Sequence, residues 1–582
     1  MSAPDACLWG MLLSKLRNKE TPKIMRAGFL FVLLSTCIFS ACANNDKWSH
    51  GAMVSAANPY ATDAAIAMLA QGGHAVDAAI AAHLVLGLVE PQSSGLGGGG
   101  FLVVYERDSG ELIFHDGRET APAAASADMF MTDGKAMSYM QAWQSGRAIG
   151  APGAVALYKQ AHDQHGQLPW EALFAPAIAL AEQGFVVSPR LAGYLPRMAE
   201  LTRLDENPGA AEYFYPQGKP LVAGQVRTNS GYAQTLKAIA EQGPKAFYTG
   251  AMAEAIVAAA RAEPNPGSLS LADLANYSVK TRPIVCGPFK KLQICTASPP
   301  SSGGAQIMLA QLYENLLAQN TDKTQAFVDA QRLAYADRDQ YFADPEYAEV
   351  PIAALLDPDY LQSRADQRFA PDAEPVAGVP SVLNQPGKDT TEEASGTTHL
   401  SIIDGAGNAI SFTATVEAAF GSARWVQGFL LNNEMTDFAR RYDPNEPMPA
   451  NVIAPNKRPR SSMSPTFVFD AQGDLLMVTG SPGGNSIPAY VGKTIIGVLD
   501  WGLTPQQAVD YPNVIARGKK VRVETGVEGG LEIAAKLKAM GYEVQERNGE
   551  NSGIHMIYVT PDGLVGAADK RREGTVRVWT ED

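Results

Sequence analysis

The spacing of apolar positions changes period several times along the chain, and each change marks an element. Asn58-Pro59 is suited to start a helix running to about residue 71, with Asn58 as cap and Pro59 in the first turn, and Gly72-Gly73 ends it. Residues 75–88 are apolar almost throughout and predict a second helix, alanine-rich like the first, so the two can pack closely. Residues 102–105 and 112–115 predict a strand pair ending at Asp116-Gly117-Arg118-Glu119. From about 128 to 370 the spacing is mostly helical, with helices expected over 170–183, 233–242, 251–262 and 306–318. Strands return at 400–403 and 409–415, and again at 464–480, 554–559 and 565–567, with helices expected at 495–509 and 531–540. Two clusters of strands among many helices predict stacked sheets covered by helices.

The pair 400–403 and 409–415 is joined by Gly405-Ala406-Gly407, which reads as a β-hairpin with a three-residue loop. If Asp404 pairs with Asn408, Thr397 falls opposite Thr415. Upstream, residues 380–396 read as a polar, loose linker with the acidic pair Glu392-Glu393. A threonine then opens a strand with a second hydroxyl beside it. A threonine hydroxyl is a poor nucleophile and needs a base, and a free α-amine on the same residue titrates near neutrality within its reach. That amine is freed only if the bond after Gly396 is cut, and the hydroxyl can make that cut by attacking the Gly396 carbonyl. The plainer alternative is a β-branched pair that merely begins a strand.

A net charge of -14 over 582 residues argues against a nucleic-acid partner, which needs a basic face. With eight histidines and no zinc-type Cys/His spacing, neither metal nor cofactor is expected. Ser93-Ser94-Gly95-Leu96-Gly97-Gly98-Gly99-Gly100 lacks the lysine of a phosphate loop and the spacing of a dinucleotide fingerprint, so it reads as a tight core turn. Basic residues from Lys15 to Arg26 precede an apolar run over 27–39, too short for a comfortable membrane span, which predicts a signal segment over 1–42. Phe39-Ser40-Ala41-Cys42 resembles a lipoprotein processing box with Cys42 as the lipidated residue, the alternative being an ordinary signal peptide. Export to an oxidising compartment favours a hairpin disulfide between Cys286 and Cys295, the alternative being two buried thiols.

Several motifs together resemble the γ-glutamyltransferase family of N-terminal-nucleophile hydrolases, from about residue 51 to the C-terminus. Thr397-Thr398-His399 resembles its processing site and nucleophile, Gly480-Ser481-Pro482-Gly483-Gly484 its oxyanion turn, the segment from Pro455 to Pro465 its substrate-carboxylate segment and Leu431-Asn432-Asn433-Glu434-Met435-Thr436-Asp437-Phe438 its substrate-amine segment. Arg118 stands at its carboxylate-clamping arginine. The resemblance implies an α/β (α+β) fold, an αββα sandwich of two stacked antiparallel sheets. It implies a large chain over 43–396 and a small catalytic chain over 397–582, held as a heterodimer. The substrate would be a small γ-glutamyl compound such as glutathione. Arg118, Ser461 and Ser462 would hold its carboxylate, Glu434 and Asp437 its ammonium, Gly483 and Gly484 the oxyanion, and Thr415 would donate to Thr397. His399 is expected to be structural. Glu417 stands where several members have asparagine and adds negative charge to the amine pocket. The stretch 439–454, where many members carry a lid, is 16 residues and looks shortened, which predicts an open site. The other readings are a glutaryl-type amide acylase on the same fold and a non-catalytic envelope binding protein.

Overall fold

The computed structural model describes residues 48–580 apart from 133–134, 382–384 and 442–444, so Cys42 and the expected signal segment lie outside the described residues. One seven-stranded and one six-stranded sheet form the centre. Numbering only their strands, in chain order, β1 is Ala52–Ala56, β2 Gly99–Glu106, β3 Glu111–Gly117, β4 Lys280–Arg282, β5 Ile284–Phe289, β6 Leu292–Ala297, β7 Gly396–Ile403, β8 Ala409–Glu417, β9 Thr466–Phe469, β10 Leu475–Gly480, β11 His555–Thr560, β12 Gly563–Ala568 and β13 Thr575–Trp579. The first sheet has the order β13-β1-β7-β8-β2-β3-β4 and the second β12-β11-β10-β9-β6-β5, with antiparallel pairing throughout.

Alternation along β7 and β8 assigns their two faces. Leu400, Ile402, Ile410, Phe412 and Ala414 pack with Leu102 and Val104 against α1 (Pro59–Leu69) and α2 (Ala75–Val89). The intervening residues are polar and face the second sheet. There His399 Nδ1 bonds Thr413 Oγ at 2.8 Å, Ser401 Oγ donates to the His555 carbonyl at 3.0 Å and Ser411 Oγ donates to the Thr479 carbonyl at 3.0 Å. Thr397 continues this polar row at its open end. Beyond the second sheet lie α3 (Gly303–Ala318), α4 (Lys323–Tyr341) and α5 (Ile487–Leu499), which share its second core. The layers are therefore helix, sheet, sheet, helix, an α+β sandwich of the N-terminal-nucleophile type. The glycine run before β2 lets two backbones meet: a Cβ on Gly98 would lie 2.0 Å from the Thr415 carbonyl oxygen.

Asn58 caps α1 by accepting from the Tyr60 N–H at 3.0 Å, and Pro59 opens it. The helix expected over 495–509 is in fact α5 followed by a separate helix, Pro505–Asp510. Gly502 turns the chain at φ 72°, and Thr504 caps the second helix, both stronger signals than the continuous apolar spacing. The helical stretch at 170–183 begins as a 3-10 turn, Trp170–Phe174. α4 and β13 had no strong sequence signal. Cys286 and Cys295 stand opposite each other on β5 and β6 and are joined by a disulfide. Trp48–Asp582 is one unit, and both sheets interleave strands from before and after Gly396.

Candidate active site

Asp404 sets the hairpin: its backbone N–H bonds the Asn408 carbonyl at 2.9 Å and its carboxylate takes the N–H groups of Ala406 and Asn408 at 2.9 Å each. This register places Thr397 opposite Thr415. Their hydroxyls are 3.2 Å apart, and both residues are buried. Thr415 Oγ also donates to the Gly396 carbonyl at 2.8 Å and accepts the Glu417 N–H at 2.8 Å. A hydroxyl has one proton to give. With that proton on Gly396, the Thr397 hydroxyl must be the donor between the two threonines. This reverses the direction expected from sequence as long as the chain is uncut. Arg572 also holds Thr397, donating to its carbonyl at 2.6 Å.

The pairing slips by one residue between Gly396 and Thr397, and Glu417 has φ 77°. Simple strand alternation therefore stops short of Glu417, yet its side chain still enters the cavity that contains Thr397. Its carboxylate accepts the Ala394 N–H at 3.1 Å and bonds Asn433 Nδ2, with Tyr139 Oη at 3.4 Å. Glu434 and Asp437 sit on one 3-10 turn, Glu434–Asp437, whose three-residue period stacks them on one side. Arg118 lies between them, ion-paired with Glu434 and 2.7 Å from Asp437. Two further donors go to the carbonyls of Pro459 at 3.3 Å and Arg460 at 2.9 Å. The expected free clamp is thus already engaged in the uncut chain. Burial, followed by the neighbouring carboxylates, pushes Glu434 and Asp437 well above the ordinary carboxylate range, with Arg118 opposing. Glu119, beside them and fully buried, is raised to about 7, chiefly by burial and against the pull of Arg118.

The linker expected to be loose is instead buried at Asp389, Thr391 and Glu393. Glu393 lines the same cavity as Thr397, Arg118, Ser461 and Ser462. Its carboxylate accepts the Ser462 N–H at 2.7 Å and pairs with Arg338 and, at 3.5 Å, with Arg460. Although burial opposes ionisation, these arginines hold Glu393 down at about 2. Ser461 N–H is spent on the Pro300 carbonyl at 2.9 Å, and Ser462 Oγ accepts from Arg338 at 2.6 Å. The cavity is about 10 Å³, room for no more than a water molecule, so the site of the uncut chain is filled by its own residues.

Gly483 and Gly484 follow β10 with φ of 137° and 56°, and Gly484 lines the cavity. The Gly484–Ser486 turn leads directly into α5, and among the described residues no side chain caps its N–H groups. The carbonyls of Glu393 and Ala394 cover Gly484, each 2.4 Å from where a Cβ would stand. His399 is fully buried and pushed well below its usual range, chiefly by burial, and it bonds Thr413 and Ser401. It is a structural neighbour of the site. Sequence reasoning missed Glu119, Tyr139, Arg338, Glu393 and Arg572 as site residues. Of these only Glu119, next to Arg118, had a local signal.

A buried hydroxyl pair on a backbone carbonyl, beside a glycine turn that opens a helix and a charged pocket, sits in a fold of the N-terminal-nucleophile hydrolase class. The family model described as gamma-glutamyltranspeptidase matches residues 61–579, and the chain belongs to that family of enzymes. It is 36% identical to the glutathione hydrolase proenzyme of Escherichia coli over 89% of this chain and 90% of that protein. It is 35% identical to the glutathione hydrolase proenzyme of Bacillus subtilis over 90% of each. Among solved structures, the cephalosporin acylase from Bacillus halodurans superposes with a TM-score of 0.79 at 26% identity, covering 92% of this chain and 97% of that one.

Proposed function

We propose that this chain is a proenzyme that cuts itself between Gly396 and Thr397 and then uses Thr397 to take γ-glutamyl groups from amides such as glutathione. The observation that carries the reading is the position of Thr415 Oγ, 2.8 Å from the Gly396 carbonyl oxygen and 3.2 Å from Thr397 Oγ. Donation from Thr415 polarises the Gly396 carbonyl as Thr397 Oγ adds to it. The Gly396–Thr397 C–N bond breaks, the hydroxyl proton moves to the departing nitrogen, and an ester links Gly396 to Thr397. Water hydrolyses that ester, leaving a Gly396 carboxylate and a free Thr397 amine and hydroxyl. The carbonyl that held the Thr415 proton is then gone from the peptide, so that proton can turn to Thr397 Oγ.

In the cut enzyme the α-amine of Thr397 serves as base. Thr397 Oγ attacks the γ-amide, and the N–H groups of Gly483 and Gly484 receive the oxyanion. The leaving amine takes the proton from the Thr397 ammonium, and water or the amine of an amino acid or peptide removes the γ-glutamyl group. Glu434, Asp437 and Glu417 receive the donor's ammonium, while Arg118 and the Ser461-Ser462 segment face its carboxylate. The interleaved strands would keep residues 43–396 and 397–582 together as a heterodimer. A bacterial envelope location, with the first 42 residues as export signal and Cys42 lipidated, completes the reading. Among the described residues no helix is long and apolar enough to cross a membrane.

The likeness to an acylase keeps a second reading in view, a glutaryl-type amide as substrate. Three buried carboxylates stand around the amine position and Arg118 pairs with only two of them, which favours a donor that brings a further positive charge. The test joins a denaturing gel to an assay. Wild type should run as two chains and hydrolyse a γ-glutamyl anilide faster than a glutaryl anilide, and Thr397→Ala should run as one. Normal processing of Thr397→Ala removes the mechanism, and a preference for the glutaryl anilide moves the function to the acylase.

A further inference from the structure

Arg118 cannot be the whole answer to a donor's carboxylate. Its guanidinium already serves Glu434, Asp437 and two backbone carbonyls. A carboxylate does occupy the cavity beside Ser462, and it belongs to Glu393. It takes the Ser462 N–H at 2.7 Å, and Arg338 bridges it to Ser462 Oγ, itself 2.6 Å from the guanidinium. The Ala394 N–H, one residue on, meets Glu417 at 3.1 Å. An anion on the serine segment and an N–H donor on an acidic residue reproduce the two polar ends of an α-amino acid.

The charge balance around this carboxylate points the same way. Among the described residues, Arg338, Arg460 and Arg517 share only Asp339 of the acids outside residues 389–396, at 2.9, 3.8 and 3.0 Å. The processing segment supplies the rest: Glu393 to Arg338, Asp389 to Arg460 at 3.0 Å and Glu392 to Arg517 at 2.8 Å. Arg338 and Arg460 are fully buried. Once the segment withdraws from the cavity, a buried cation beside Ser462 loses its anion, which is costly unless another takes its place.

We propose that Arg338, backed by Arg460, is a second cation, beside Arg118, for the donor's α-carboxylate, and that Glu393 holds that place until the chain is cut. This rests on the γ-glutamyl donor reading and adds a specificity-determining residue to it. It also makes the closed cavity of the uncut chain a consequence of its own segment occupying the donor's polar contacts.

The test compares two anilides on the cut enzyme, γ-glutamyl-p-nitroanilide and 4-aminobutyryl-p-nitroanilide, which keeps the ammonium and the amide but lacks the α-carboxylate. Arg338→Met should lower kcat/KM for the γ-glutamyl anilide ~10–100-fold, mainly through KM, the range for a charge-assisted hydrogen bond. The 4-aminobutyryl anilide should change by no more than about twofold, and equal losses on both would overturn the proposal. Should Arg338→Met remain uncut, the Thr397→Ala chain decides. S-methylglutathione should not shift its melting temperature, should shift that of Thr397→Ala/Glu393→Ala, and should lose the effect again when Arg338→Met is added. Equal binding by Thr397→Ala with and without Glu393 would show that Glu393 does not hold the donor's place. Wild-type indifference between the two anilides would remove the donor reading itself, and Arg338's role with it.

Discussion

Thr397 and Thr415 meet through a single strand pairing, whereas Arg118, Glu393, Glu434 and Ser462 meet from four separate stretches of chain. The first arrangement is neutral and local. Its distances are set by the hairpin loop at Asp404 and by the alternation of two strands, so a hydroxyl can be aimed at a carbonyl within the tolerance that bond formation needs. The second is charged and non-local. Its members are held by mutual ion pairing in a closed space, and removing any one leaves another buried and unpaired. Under the proposed reaction, bond making rests on rigid neutral geometry and recognition on a balance of charges, which the segment before Thr397 satisfies for as long as it stays in place.

The sharpest way to break this comparison is at Thr415. Thr415→Val keeps the shape and the β-branch but removes the side-chain donor to the Gly396 carbonyl. Loss of one such donor costs ~100–1,000-fold in comparable sites. Maturation followed by gel should slow by that order, while Thr415→Ser should process at near the wild-type rate. Equal processing by Thr415→Val would mean that the close contact is incidental to the cut.

The charged half is probed at Glu417. Glu417→Gln should weaken a γ-glutamyl anilide ~10–100-fold, the worth of a charge-assisted bond, and leave its des-amino glutaryl analogue nearly unchanged. Equal losses on the two substrates, measured as kcat/KM, would assign Glu417 to the nucleophile strand instead of the amine pocket. A smaller effect is expected at Arg118. Lysine there keeps the charge but not the planar fork that meets Glu434 and Asp437 together, so Arg118→Lys should raise KM for the γ-glutamyl anilide about tenfold. Self-cleavage should proceed, because it needs no bound donor, and a failure to process would show that Arg118 orders the hairpin as well.

The same division explains what could be read from the sequence. The hairpin, its register and the facing threonines were legible because period-two alternation and a glycine-bearing loop act over few residues. The layered fold was legible from the alternation of strand and helix runs. Motif resemblance located Arg118, Glu434, Asp437 and the glycine turn, but not that Arg118 is engaged by both acids in the uncut chain. Glu393 was the clearest miss. In sequence it is half of an acidic pair in a proline-bearing linker, and only the fold brings Arg338 and Arg460 to it from positions 55 residues before and 67 after. Arg572 was hidden for the same reason, since nothing near it in the chain points to the Thr397 carbonyl.

The finest test concerns how far the pocket's charges are balanced before a donor arrives. Glu119 is buried beside Arg118 and raised to about 7, chiefly by burial. A carboxylate in the unfolded chain titrates at about 4.3, so between about pH 4 and pH 7 the folded state holds a proton that the unfolded state has lost. With more protons bound in the folded state, stability from this group is fully present below about pH 4 and falls as pH rises towards 7. It levels off above that. The contribution is on the order of 3 kcal/mol. The uncut Thr397→Ala chain keeps the pocket's composition fixed through the titration, and its melting temperature should decline between pH 5 and pH 7.5. Adding Glu119→Gln removes the titrating group while keeping the shape, so the decline should be shallower by a few °C. Parallel curves for the two chains would mean that Glu119 is ionised throughout and that Arg118 balances it as well as its two acidic partners.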